Sequence, residues 1–323
     1  MDLTFRPMAR EDFNEFYWAC FPRDRTDSGL RSIVEREWHA LCDYGESLSL
    51  VVEDRDRPKN ERIVGCAQAV FVTEDFAARV RSGISPWLNA LVTRLLADGL
   101  NPLLRPQEIS SANSGDGLIG LMTHWMIADE SYGPEECLLL SDYLLRSFAH
   151  FSRGYKLKEI LVESTGEAAR EEGVRAGFQV LNDYDDFYCD QPPASYARAC
   201  LFNLSREEAW RSRGSLANWI FAYTPPRFSF GFNSREQRVL RWALVGADDQ
   251  EIANRIDRSL WTVRKAWQSI YVRVETAAPG LLPEASGERL RKSRRGDEKR
   301  RVLLRYLGDH PEELCPVNTQ KGG

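Results

Sequence analysis

The 323-residue chain lacks any long apolar run. Its longest, Leu118 to Ala128, is interrupted by His124 and falls well short of the roughly 20 residues that span a bilayer, so no membrane partner is expected. None of its 7 Cys forms a CxxC pair, and their number is odd. That argues against a disulfide framework and a zinc knuckle, and favours reduced, packed thiols. The 4 His (His39, His124, His150, His310) are far apart and form neither HExxH nor HxxxH, so no metal site is expected. Also missing are a GxSxG elbow, a Walker loop and a dinucleotide-binding glycine fingerprint. The opening MDLTFRPMARED carries charge throughout and has no apolar stretch of a secretion signal, which makes a cytoplasmic protein the default. No internal repeat or low-complexity tract occurs.

What is present suits two or three folded domains. Hydrophobic residues make up 43% of the chain, with 9 Trp among them, ample for real cores at this length. Charge is divided unevenly. Residues 227–323 hold 19 Lys+Arg against 13 Asp+Glu, leaving 24 against 35 for residues 1–226. A basic C-terminal part suits a polyanion, and an acidic N-terminal part would project away from one.

Hydrophobic periodicity orders the first two hundred residues. A short strand at Leu3 to Arg6 runs into a helix from Ala9 to Cys20, and a second helix covers Leu30 to Cys42. Strands at Ser47 to Glu53 and Arg62 to Val72, joined by the charged turn DRDRPKNE, read as an antiparallel hairpin. A helical insertion (Pro86 to Ala97) and a polar loop, SSANSGDG, lead to a strand at Leu118 to Ile127. A helix from Glu135 to Phe151, a strand from Glu159 to Glu163 and a helix from Glu167 to Ala176 follow, then strands near Phe178 to Leu181 and Ala197 to Leu204. The order βααβββαβαββ, with Arg6-Pro7 before an acidic helix start and Gly177-Phe178 after the late helix, resembles the GNAT N-acyltransferase fold over residues 2–205. A small-molecule sensor domain of another α/β type would share much of this periodicity.

That resemblance implies an acyl-CoA pyrophosphate held by backbone N–H groups at a glycine turn and helix N-terminus. The family pattern there is Gln or Arg, two residues, Gly, one residue, then Gly or Ala. Here the turn is Glu130, Ser131, Tyr132, Gly133, Pro134, Glu135, Glu136, and only Gly133 matches. Pro134 removes a donor, and the three carboxylates oppose a pyrophosphate. A plain helix start, with Pro in the first turn and acids at the positive end, explains these residues. No catalytic residue and no cofactor are therefore assigned. Tyr184, Tyr188 and Tyr196 lie where the fold could place a general acid, but packing is the commoner role for such tyrosines. Glu53 and Glu163 could act as bases but read as solvated strand ends.

The strongest local signal is Phe232 to Val274, FNSREQRVLRWALVGADDQEIANRIDRSLWTVRKAWQSIYVRV. Asn233 can cap a first helix with Glu236 completing a capping box, Val239, Leu240, Ala243 and Leu244 form its inner face, and Gly246 ends it. Asp248 can cap a second helix with Ile252, Ala253 and Ile256 inward. Ser259 can cap a third, buried along Val263, Ala266, Trp267 and Ile270. Trp261, Arg264, Lys265 and Gln268 recur at helical spacing on its opposite side and can enter a major groove together.

These residues resemble the LuxR-type (GerE-like) helix-turn-helix, matching at Arg235, Glu236, Val239, Leu240, Gly246, Glu251, Ile252, Ala253, Ser259, Thr262, Val263 and Ile270. The resemblance places Arg264, Lys265 and Gln268 at base-reading positions, with Ser259, Trp261 and Thr262 near phosphates or groove walls. Arg235 and Arg258 are candidates for further phosphate contacts, although Arg258 could instead loosen the turn. Asp257 and Arg258 replace the usual glycine and apolar residue of the turn. Pro279 and Gly280 interrupt the short fourth helix that serves for pairing. The basic stretch Arg289 to Arg301 could grip flanking phosphates or be a solvated linker, and Asp297 to Leu307 reads as one last amphipathic helix before a frayed end, CPVNTQKGG.

The sequence thus divides into a GNAT-like α/β (α+β) domain with a mixed sheet at 1–222, a linker at 223–231, an all-α helix-turn-helix domain at 232–276 and a basic tail at 277–323. The expected function is a bacterial-type transcriptional regulator that binds double-stranded DNA through its C-terminal helices. A small-molecule or protein effector would act at the N-terminal domain, and any homodimer would form through that domain or the tail. The alternative is an acyl-CoA-dependent N-acyltransferase fused to a DNA-binding domain, with Gly133 at the cofactor turn. A non-DNA protein adaptor is the third reading.

Overall fold

The computed structural model describes residues 1–20, 28–44, 47–83, 87–128, 131–184, 199–211, 216–283 and 292–316. Tyr188, Tyr196 and Glu130 lie outside them. Seven strands form one sheet: β1 (Leu3–Pro7), β2 (Leu48–Asp54), β3 (Ile63–Val72), β4 (Leu118–Ile127), β5 (Leu157–Thr165), β6 (Gln179–Asp183) and β7 (Ala199–Ser205), in spatial order β1-β2-β3-β4-β5-β7-β6. Every neighbouring pair is antiparallel except β4 and β5. This is a mixed sheet flanked by helices, as the acyltransferase resemblance implies.

The central strand β3, IVGCAQAVFV, is buried along its whole length, which a near-continuous apolar run achieves only when both faces are covered. One face is covered by α1 (Phe13–Cys20), α2 (Ser28–Tyr44), α3 (Glu74–Arg81) and α4 (Leu88–Ala97). Phe16 stacks on Trp38 at 4.5 Å between ring centroids in the core of α1 and α2. The other face is covered by α6 (Pro134–Ser152) and the short turn Leu216–Phe221, with Phe148, Tyr155 and Phe221 buried there. Two helices replace what reads as loop: α3, and α5 (Pro106–Ser114), which takes in the start of SSANSGDG. α5 is begun by Pro106 in its first turn and by Glu108, which accepts from the Arg105 N–H at 2.7 Å.

The C-terminal helices α9 (Ser234–Leu244), α10 (Asp249–Arg255) and α11 (Leu260–Ala277) follow the short α8 (Arg206–Arg211), with α7 (Glu167–Arg175) lying earlier between β5 and β6. Each has the expected cap: Asn233 accepts from Glu236 N–H, Asp248 from Gln250 and Glu251, and Ser259 from Thr262. After Pro279 and Gly280 the chain re-enters the same core through α12 (Lys292–Asp309), where Leu303 and Leu307 are fully buried. The expected frayed end is instead packed at its start: Cys315 and Pro316 are buried, and Cys315 joins the sheet core. Among the described residues Cys42, Cys66, Cys137, Cys200 and Cys315 form no disulfide, and no helix is long and apolar enough to cross a membrane.

Candidate active-site cleft

The parallel strands β4 and β5 are hydrogen-bonded only from Leu118 to Met122 on the first strand. Beyond that point β4 continues beside β3 to Ile127, and β5 continues beside β7 to Thr165. The two strands part while each keeps its other neighbour. A local cause is visible: the β3–β4 register shifts between Gln68 and Ala69, so that Thr123 on β4 is an extra residue. Such a bulge bends its strand and re-aims the side chains beyond it. The Thr123 hydroxyl fixes the bulge by donating to Gln68, with distances of 3.2 Å to its carbonyl and 2.9 Å to its Oε1.

The gap opens into a cleft of about 480 Å³ beneath α2 and α4, with Glu37, Glu163, Ser164, Trp87, Trp125 and Met126 among its walls. Glu163 is not the solvated strand end that its position suggests. Its carboxylate accepts from the N–H groups of Trp87 at 2.7 Å and Leu88 at 2.9 Å, and so caps α4 from a neighbouring strand. This replaces a local cap, because Trp87 sits in the left-handed region at φ 70° and its own side chain makes no capping bond. Burial raises the Glu163 pKa, and the two amides oppose that rise.

Glu37, on α2, faces the same cleft with only 8% of its surface exposed. Burial, reinforced by the negative charge of Glu163 and opposed by Arg36, pushes its carboxyl up to about 7. A carboxylate tuned to that value exchanges protons at neutral pH, as a general base must. Sequence reasoning missed Glu37 because it occupies an ordinary position in a helix, and only tertiary packing brings it to Glu163.

The remaining sheet candidates are placed elsewhere. Glu53 pairs with Arg6 at 2.8 Å. Tyr184 is buried in the α3–α4 core, near enough for Glu163 to help burial raise its phenol pKa, but it does not line the cleft. His124 does line it; its Nδ1 lies 3.0 Å from Gln68 Oε1, and burial pushes its pKa down to about 4. Gln68 Nε2 donates to Ser49, so its Oε1 accepts and the neutral ring donates from Nδ1.

The glycine turn does not fit a pyrophosphate. Gly133 N–H, the first donor of α6, is taken by Glu136 Oε2 at 3.0 Å, and Pro134 has none to offer. Glu135 and Glu136 are exposed beside it.

In the C-terminal unit the four side chains expected on one face of α11 are together and exposed, with Trp261 at 67% and Lys265 Nζ lying 5.3 Å from its ring centroid. Ser259 and Thr262 are engaged with one another at the start of that helix, 2.9 Å apart. Asp257 adopts φ 51°, the left-handed turn, and Arg258 donates to the Asp257 carbonyl at 2.6 Å. Arg235 is exposed on α9. The basic stretch is partly structural: Arg300 pairs with Asp249 at 2.7 Å and lies over the Trp267 ring. Arg289 lies outside the described residues.

No family model and no curated protein matches the chain. Solved structures that resemble it include the C-terminal condensation domain of Ebony in complex with beta-alanyl-dopamine (14% identity, TM-score 0.39, 63% of this chain and 98% of that one). Arabidopsis thaliana NAA60 with a bisubstrate analogue matches at 15% identity and TM-score 0.38, over 63% and 97%. Drosophila melanogaster polyamine N-acetyltransferase matches at 13% and 0.36, over 63% and 100%. With TM-scores this low, the fold is described by its own strand order and by the parting of β4 from β5.

Proposed function

We propose that the sheet-bearing half is an N-acyltransferase-type domain that transfers an acyl group to an amine held in the β4–β5 cleft, with Glu37 as general base. The observation that carries this reading is the parting of two parallel strands over a buried carboxylate poised near neutrality. The chemistry follows from the groups present. An amine with an apolar body enters between Trp87, Trp125 and Met126, and its nitrogen meets the negative charge of Glu37 and Glu163. Glu37 takes a proton from the ammonium, the freed amine attacks the thioester carbonyl, and as the C–S bond breaks the nitrogen gives its second proton to the departing thiolate, which leaves a thiol and an amide. Glu163 holds α4, and with it Trp87, in place.

The donor is an acyl thioester on an extended, amide-bearing arm, because the parted strand edges offer backbone groups of the kind that pair with such a chain. A nucleotide diphosphate adds little to its binding, given the self-capped turn at Gly133. In a thiol-release assay, S-acetylpantetheine and acetyl-CoA should serve with kcat/KM within about threefold of each other for a primary arylalkylamine such as phenethylamine, a limit set by the small net gain expected from an unfitted group. Glu37→Gln should lower the rate by about 10²–10⁴-fold, the usual range for a positioned base. Absence of amine-dependent thiol release would overturn the proposal.

A second reading concerns the C-terminal helices and rests on the exposed face of α11. We propose that Trp261, Arg264, Lys265 and Gln268 read a major groove, with Ser259, Thr262, Arg235 and Arg258 near phosphates, so that the acyl-transfer domain is fused to a DNA-binding unit. The short left-handed turn at Asp257, which joins α10 to α11, supports it, since a helix-turn-helix needs a tight turn between those two helices. Gel-shift titration with genomic fragments tests it, and retention of wild-type affinity by the Arg264→Ala, Lys265→Ala double variant would contradict it.

A further inference from the structure

Where the two halves meet, a second cavity of about 530 Å³ lies between the sheet and the helices. One wall comes from the sheet side, with Phe5 on β1, His150 and Phe151 at the end of α6, and Tyr155. The other comes from α9 and α12, with Arg241, Leu244 and Leu307. The walls are joined across the gap by the Arg241 guanidinium, which donates to Tyr155 Oη at 3.0 Å. Phe5 packs edge-on against Phe151 at 5.8 Å and against His150 at 6.1 Å, so the sheet-side wall is largely aromatic.

The charge that faces this cavity is of one sign. Among the described residues two arginines, Arg241 in the wall and Arg55 at the rim, line it and no carboxylate does. Burial favours the neutral forms of two further lining groups, lowering the His150 pKa and pushing the Cys315 thiol up to about 12. Of the acids whose charge reaches Cys315, Glu312 is engaged by His310 at 3.0 Å and Arg153 at 3.6 Å, and Glu313 by the N–H groups of Arg227, Phe228 and Ser229.

An apolar chamber with aromatic walls and a pair of guanidinium groups is complementary to one class of small molecule. We infer that the junction binds an organic carboxylate with an aromatic or similarly flat apolar body, its ring between Phe5, Phe151 and Leu244 and its carboxylate toward Arg241 and Arg55. The volume falls within the range of small-molecule sites, and the guanidinium fork matches a carboxylate's geometry. Because both halves supply walls, an occupant bears on their relative placement. This inference is independent of the acyl-transfer and DNA-binding readings, since neither the β4–β5 cleft nor α11 contributes to the cavity.

Isothermal titration of the full chain with 2-naphthoate, and with uncharged 2-naphthamide as its counterpart, tests the assignment. Saturable binding of the naphthoate at one site is expected, at least tenfold tighter than the amide. Arg241→Gln and Arg55→Gln should each weaken naphthoate binding by about tenfold, within the range for one charge-assisted hydrogen bond, and leave the amide unchanged. Arg55 is exposed, so its replacement tests the site without disturbing the fold. Equal affinity for the two compounds, no saturable binding of naphthoate, or wild-type affinity in both variants would overturn the inference.

Discussion

At the scale of single residues, the buried carboxyl of Glu37 in the cleft is held at a cost in stability. Glu37 has its folded pKa raised to about 7 from an ordinary value of 4.5. Its contribution is therefore most favourable below pH 4.5 and is lost as pH rises through 7. His124 works in the opposite sense: with its pKa lowered from 6.5 to about 4, its contribution is complete above pH 6.5 and is lost as pH falls toward 4. Glu37→Gln should consequently stabilise the protein by about 3 kcal/mol at pH 8, an amount that fades by pH 4.5, read as the difference in urea midpoints across that range. His124→Gln should lessen the acid sensitivity of the fold between pH 6.5 and 4, visible as a flatter dependence of Tm on pH. Asp257 carries a separate local strain at φ 51°. Asp257→Gly should raise stability by roughly 0.5 kcal/mol, since relief of left-handed strain is partly offset by the greater freedom of the unfolded glycine.

At the scale of elements, one acidic residue ties the linker to the end of the chain. Glu313 is almost wholly buried, and its carboxylate accepts from Arg227 N–H at 2.8 Å, Phe228 N–H at 2.9 Å and Ser229 N–H at 3.0 Å, with Tyr306 Oη at 3.1 Å. Removing it leaves three amides unpaired, so Glu313→Ala should cost about 3 kcal/mol in chemical denaturation, whereas Glu313→Gln should cost less. The same comparison explains what could be read from sequence. The strands and the caps at Asn233, Asp248 and Ser259 were legible because period and cap chemistry are local. The bulge at Thr123, the capping of α4 by Glu163 and the approach of Glu37 were not, because each depends on bringing together segments that lie far apart along the chain. α12 was legible as an amphipathic helix, while its docking into the core of α9 to α11 was not.

At the scale of the whole molecule, the acidic and basic halves are joined by charge as well as by packing. Arg255 at the end of α10 reaches Glu11 at 2.6 Å and lies over the Trp242 ring, and Arg6 pairs with Asp12 beside them. Of the cations of α11, Arg264 and Lys265 are left facing outward, while Arg273 pairs with Glu236 at 3.0 Å. If they meet DNA, affinity should fall steeply as salt is raised, and the slope of log K against log salt should lessen by about 1 for each phosphate contact removed. Arg255→Ala should leave that slope unchanged while loosening the junction, seen as faster amide exchange in α10.

The central claim, that Glu37 is the base of an acyl-transfer cleft, is tested most directly by the pH dependence of kcat/KM for thiol release from S-acetylpantetheine with phenethylamine. The wild-type rate should rise with pH and bend near pH 7, where Glu37 loses its proton, and Glu37→Gln should lose that bend together with most of the rate. A bend that survives in Glu37→Gln, or a variant as fast as the wild type, would contradict it.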